Sequence, residues 1–249
     1  MDMKKIIIWC SPGTGSSLLS QMLSACGMNL GDKQTYYDSG SNAEHSLINS
    51  LHGEITTGNK VTEPSSLVDK YNSLPGNDPK EKYRTVLRSY MRMAKEKNWQ
   101  CFGIKTTTGH NPSVFFDLMR IQEEEWGKDI HYFLTVRHPI ASLKRLQKHN
   151  RPDGKNPEKV YEQWASHLPL KFALISKGAT AVRFPEHFQN GVIKKIISDS
   201  GLKWTDQAAN LFNPSQFSTV GQEETEGFSN SRPGLSKAYE ILAESCPYE

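Results

Sequence analysis

Apolar residues in this chain gather into short β-branched runs separated by stretches with helical spacing. Residues 4–10 open the pattern: Ile6, Ile7, Ile8 and Trp9 follow one another without polar alternation, as in a strand buried on both faces of a sheet. Residues 11–17 then supply a proline and two glycines. Leu18, Leu19, Met22, Leu23 and Cys26 recur along one helix face, and Gly27 stands where that helix should stop. The unit reads strand, glycine loop, helix.

The alternation continues. Spacing predicts a helix over 83–97, a strand over 101–105, a helix over 112–125, a strand over 130–136 and a helix over 140–149. A long helix over 158–177 should kink at Pro169, and a last strand follows at 180–184. Helices are expected at 189–200, 206–212 and 235–245, the last two separated by a polar loop with Gly221, Gly227 and Gly234. Residues from about 31 to 80 are rich in Ser, Asn, Gly and Asp and show no sustained period, so they read as an excursion with short elements that shapes a substrate site. No internal repeat is visible. The expected fold is α/β: one domain over 1–249, with a central, mainly parallel sheet flanked by helices and joined by right-handed crossovers.

Composition narrows the function classes. With 249 residues the chain can bury a full core, and 36% hydrophobic against 23% charged residues excludes disorder. Thirty Lys plus Arg against 27 Asp plus Glu leave a formal charge of +3, too balanced to argue for nonspecific nucleic-acid binding. No apolar run approaches the roughly 18–20 residues of a transmembrane helix, and the start shows no signal-peptide pattern, so a cytoplasmic protein is expected. Cys10, Cys26, Cys101 and Cys246 lack CxxC spacing and read as reduced thiols.

In open α/β sheets ligands bind at the carboxyl ends of strands. The first such end, Ser11-Pro12-Gly13-Thr14-Gly15-Ser16-Ser17-Leu18, joins a buried strand to a helix start, where backbone N–H groups and the helix dipole converge on an anion such as phosphate. It differs from the nucleotide-binding loop GxxxxGK[ST], because Ser16 stands where that motif has its lysine. The third strand runs into Arg137-His138-Pro139 and not into an acidic residue that would hold Mg²⁺. An anion suits this site better than a metal.

These segments resemble the sulfotransferase family that uses 3′-phosphoadenosine 5′-phosphosulfate (PAPS). Gly15-Ser16-Ser17-Leu18-Leu19 matches its first-strand loop, Val136-Arg137-His138-Pro139 its later Arg-x-Pro strand end, and Phe102-Gly103-Ile104-Lys105-Thr106 its Gly-hydrophobic-Lys strand. Ala181 to Phe188, with Gly201-Leu202 beyond, is similar to its late strand, Glu-x-Leu and helix block, so the likeness spans residues 4–204. The resemblance implies a P-loop-like sulfotransferase architecture. It implies that Pro12, Gly13, Thr14, Gly15, Ser16, Ser17 and Leu18 bind the 5′-phosphosulfate and that Arg137 binds the 3′-phosphate, with Ser142 or Arg145 beside it. Two positions depart from the family: Gly13 stands where a Lys or Arg usually touches the leaving oxygen, and Arg145 stands where a serine usually meets the 3′-phosphate. Lys105 can supply the missing charge.

In-line sulfuryl transfer needs a base and charge stabilisation on the leaving oxygen, and no metal is expected. His110, just past the second strand, is the first base candidate, although Thr107 takes the place two residues after Lys105 where cytosolic members carry histidine. Glu63, in a Glu-Pro pair like that of some relatives, is the second. The expected activity is transfer of the PAPS sulfuryl group to a hydroxyl or amine of a small-molecule, carbohydrate or lipid acceptor, releasing 3′-phosphoadenosine 5′-phosphate. A P-loop-type kinase or nucleotide hydrolase and a non-catalytic PAPS-binding protein are the alternatives, the second kept open by Gly13. Acceptor identity and oligomeric state are not legible.

Overall fold

The computed structural model describes residues 3–11, 13–31, 37–38, 44–58, 65–107, 112–150, 152–214, 217 and 220–247. Its central sheet has four parallel strands, β1 (Lys4–Cys10), β4 (Cys101–Thr107), β5 (His131–Val136) and β6 (Thr180–Arg183), in the order β4-β1-β5-β6. Two two-residue strands, β2 (Tyr37–Asp38) and β3 (Glu44–His45), pair antiparallel as a second small sheet, with β3 against β4. Ile8 pairs with Lys105 on one side and Phe133 on the other, and Val136 pairs with Arg183. The parallel register brings the carboxyl ends of all four strands to one edge. Gly103 permits this spacing, since a Cβ there would lie 2.5 Å from the Ile6 carbonyl oxygen and 2.7 Å from Met28 Sδ.

Because successive strand residues point to opposite faces, β1 feeds two cores. Ile7 and Trp9 pack with Phe102, Ile104, Leu134 and Val136 under α2 (Ser46–Thr57), α4 (Pro79–Glu96), α5 (Pro112–Trp126) and the C-terminal α13 (Pro233–Glu244). Ile6 and Ile8 pack with Phe133 and Val182 under α1 (Ser16–Ala25) and α10 (Val192–Asp199). This is the expected α/β architecture, with β1 enclosed on both faces. All four cysteines are buried and none is in a disulfide, and no helix among the described residues is long and apolar enough to cross a membrane.

Two expectations are corrected. The helix foreseen over 158–177 is two helices, α7 (Pro157–Ser166) and α8 (Leu168–Ser176), with His167 ending one and starting the next. The chain breaks before Pro169 because proline fits the first turn of a helix, where its missing N–H costs nothing. The polar loop before the last helix contains α12 (Gln222–Ser231), which buries only Phe228 and so carries almost no apolar period. The excursion holds α2 and α3 (Ser65–Ser73), which send Leu47, Ile48, Leu51, Leu67 and Tyr71 into the main core.

Lys171 on α8 is enclosed, its Nζ 4.5 Å from the Trp164 ring centre and without a hydrogen-bond partner among the described residues. Burial lowers its pKa from 10.5 to about 7. The unfolded chain therefore holds this proton up to a higher pH than the folded chain, and stability rises with pH between those two values. Lys171→Met keeps the apolar stem and removes the titration. In thermal melts it should unfold at a higher temperature than wild type at pH 7, with the gap closing toward pH 10. A lower midpoint at pH 7 would contradict an unpaired amine.

Candidate active site

The loop after β1 is shaped by its neighbours on the sheet edge. Gly13 (φ 77°) and Gly15 (φ 85°) take left-handed conformations that favour glycine. Gly15 is further constrained, because a Cβ there would lie 2.3 Å from the Phe184 ring at the end of β6. Thr14 Oγ1 donates to the Ser11 carbonyl at 2.7 Å and lies 2.6 Å from Thr135 Oγ1. With its one hydrogen spent on Ser11, Thr14 accepts from the Thr135 hydroxyl. Ser11 Oγ meets His167 Nδ1 at 2.9 Å, and Arg137 Nη1 donates to the Gly13 carbonyl at 2.7 Å. Side chains from β5, its exit and the α7–α8 junction thus hold the loop.

Helix α1 starts at Ser16 with no acidic residue in its first turn and no capping side chain from Gly15. Its N-terminal amide groups face the loop, and Lys105, buried at the end of β4, donates from Nζ to Ser17 Oγ at 3.0 Å. A cation, a hydroxyl and the positive end of a helix dipole meet here, which is the donor set of an anion site.

The second positive locus follows β5. Arg137 is 1% exposed, with its guanidinium carbon 5.0 Å from the Phe184 ring centre. Burial and, after it, the nearby Arg145 lower its pKa to about 10, while Glu186 acts in the opposite sense. The Arg145 pKa is also lowered by burial, and its Cγ lies 3.9 Å from the position a Gly13 Cβ would take. Arg137, whose charge is disfavoured by burial and by Arg145, and Arg145, whose charge is disfavoured by burial, would each be favoured by a nearby anion. Trp164 Nε1 donates to the Arg137 carbonyl at 3.3 Å. His138 accepts from Ile140 N at 3.2 Å as the cap of α6 (Pro139–Lys148), and burial pushes its pKa down to about 4.

Ser142, on the first turn of α6, is buried beside the loop, with its carbonyl oxygen 3.6 Å from the position a Gly13 Cβ would take. Pro12, Glu63 and His110 lie outside the described residues. Arg232 forms an ion pair with Glu158 and lies over the Tyr161 ring at 4.7 Å, and Lys144 pairs with Glu224 at 2.6 Å. No group of three His, Cys, Asp or Glu among the described residues is arranged to hold a metal.

Thr135, His167 and Phe184 belong to the loop's surroundings and were not foreseen. Only Thr135 left a trace, as a hydroxyl inside an apolar strand. A buried chain, Thr106 Oγ1 to His52 Nδ1 (2.5 Å), His52 Nε2 to Tyr83 OH (3.0 Å) and Gln122 Nε2 to Tyr83 OH (2.8 Å), ties the excursion to the end of β4. It lies on the sheet face opposite Lys105.

No protein-family model matches the chain, and no curated protein matches it by sequence. Among solved structures the chain is similar to the sulfotransferase domain of the olefin synthase from Synechococcus PCC 7002, with a TM-score of 0.52 at 14% identity, covering 100% of this chain and 96% of that one. At this identity the two share a fold, and that fold is the α/β architecture described above.

Proposed function

We propose that this chain is a sulfotransferase that takes its sulfuryl group from PAPS. The observation that carries the reading is the convergence, on one edge of a parallel sheet, of a glycine loop with an uncapped helix start and Lys105 at one end and Arg137 with Arg145 at the other. Two positive loci fit a nucleotide with phosphates at both the 5′ and 3′ positions. The fold shared with a sulfotransferase domain supports the same reading.

When bound, PAPS supplies an activated sulfuryl group and a phosphate leaving group. The acceptor oxygen attacks sulfur in line, the sulfur–oxygen bond to phosphate breaks, and the acceptor proton passes to a base, for which His110 and Glu63 are the proposed residues. The loop N–H groups, Ser16, Ser17 and Lys105 hold the 5′ end, and Lys105 meets the charge that develops on the leaving oxygen. Arg137 and Arg145 hold the 3′-phosphate, a task suited to planar, permanently charged forks. Arg145 also brings a cation beside Gly13, where the family carries one on the loop itself.

Calorimetry with 3′-phosphoadenosine 5′-phosphate, ADP and ATP, each with and without Mg²⁺, tests this directly. We expect metal-independent preference for the 3′-phosphorylated nucleotide, weakened at least about tenfold in Arg137→Ala. Mg²⁺-dependent preference for ATP would overturn the reading in favour of a kinase or hydrolase. Gly15→Ala should abolish this binding while Gly227→Ala, at a helical glycine with no neighbour within 4 Å of its Cβ position, leaves it intact. In Arg145→Gln, single-turnover sulfuryl transfer should slow at saturating PAPS. An unchanged rate would assign the charge on the leaving oxygen to Lys105 alone.

A further inference from the structure

The chain leaves β6 beside Arg137. Val136 pairs with Arg183, the Phe184 N–H donates to the Val136 carbonyl at 2.8 Å, and the Phe184 ring centre lies 5.0 Å from the Arg137 guanidinium carbon. Two residues further on, Glu186 opens the short helix α9 (Glu186–Gln189). Arg183 and Glu186 therefore stand at the end of the strand that adjoins Arg137. The Glu186 charge favours the protonated form of Arg137, against burial and Arg145.

The pair formed by these two residues is incomplete. Arg183 Nε faces Glu186 Oε2 at 3.9 Å, beyond hydrogen-bond length, and both atoms are buried without a hydrogen-bond partner among the described residues. Buried polar atoms are rarely left in that condition. The Arg183 backbone is held, its N–H donating to His187 Nδ1 at 3.3 Å, while its side chain stays partly exposed. A shift of about 1 Å by either side chain would close the gap to a charge-assisted hydrogen bond. The Glu186 charge thus reaches two arginines, and its Oε2 is bonded to neither.

We propose that Glu186 is a shared counter-ion of the anion site: it balances Arg137 while no anion is bound there, and Arg183 takes it over when one is. Glu186 and Arg183 are then positioning residues, which act on the nucleotide through Arg137 without touching it. A phosphate on Arg137 repels the carboxylate, and the Arg183 Nε–H receives it. Completing the second pair offsets the loss of the first, so the anion displaces Glu186 without leaving an uncompensated charge. This inference rests on the reading of Arg137 as the 3′-phosphate locus.

Calorimetry of 3′-phosphoadenosine 5′-phosphate on wild type, Glu186→Gln, Arg183→Gln and the double variant tests this. Glu186→Gln should bind about three- to tenfold more tightly and Arg183→Gln more weakly by a similar factor, whereas the Arg183 substitution should change nothing once Glu186 is Gln. The gain in Glu186→Gln should shrink as salt is raised. Unchanged or weaker binding in Glu186→Gln would overturn the proposal, as would unchanged binding in Arg183→Gln. A loss in Arg183→Gln that persists without the acid would overturn it too, because Arg183 would then hold the nucleotide itself. If the wild type binds no nucleotide, the sulfotransferase reading falls, and thermal melts of the same proteins in inorganic sulfate, with Arg137→Ala as control, decide the inference. Glu186→Gln should then reach the same Arg137-dependent rise in melting temperature at lower sulfate, and a rise that needs as much sulfate as in the wild type, or no rise, would overturn it.

Discussion

The burial of β1 between two parallel partners constrains every other feature of the candidate site. A strand enclosed on both faces and both edges can release its chain only at its end, and parallel pairing puts that end beside those of β4 and β5. The loop therefore emerges at the centre of the sheet edge with side chains waiting on either hand. Lys105 reaches it from β4, Thr135 and Arg137 from β5 and its exit, and Phe184 from beyond β6. Left-handed glycines make the path possible, and these neighbours select one path among those that glycine allows.

Electrostatics gives that path its chemical meaning. Arg137 sits at a strand end, nearly excluded from water and close to another arginine, a position that disfavours its charged form. An anion relieves both penalties at once, so the ligand that best stabilises the site is one rich in negative charge. The first turn of α1 adds N–H groups without a carboxylate to compete for them. A magnesium-dependent phosphotransferase needs an acid where this chain places Arg137, which is why sulfuryl chemistry is the function we propose for it.

The outer helices serve the same edge. Trp164 of α7 holds the Arg137 carbonyl, and His167 at the α7–α8 junction holds Ser11, so a single break in a helix supports both ends of the site. Phe228 of α12 and Tyr239 of α13 pack against His138, 5.3 Å and 4.7 Å between ring centres, closing off the cap of α6. The ion pairs Lys144–Glu224 and Arg232–Glu158 bind this hairpin to α6 and α7. Lys144 and Arg232 are thus paired with acids within the fold.

Much of this was legible without coordinates, because some signals are local. An unbroken Ile-Ile-Ile-Trp run can be stable only when buried on both faces, which determined the parallel sheet. Glycines at positions 13 and 15 between a strand and a helix determined a tight loop into α1, and Arg137 before Pro139 determined a cation at a strand end. Helix α12 escaped because one buried phenylalanine makes no period, and the break at His167 escaped because Pro169 suits a helix start as well as a kink. What only the tertiary structure decided is which distant groups meet. His167 reaches Ser11 across 156 residues, Phe184 closes over Gly15, and Ser142 lies beside Gly13. Those contacts depend on helix placement and side-chain direction, and a one-dimensional pattern of apolar and polar residues carries neither.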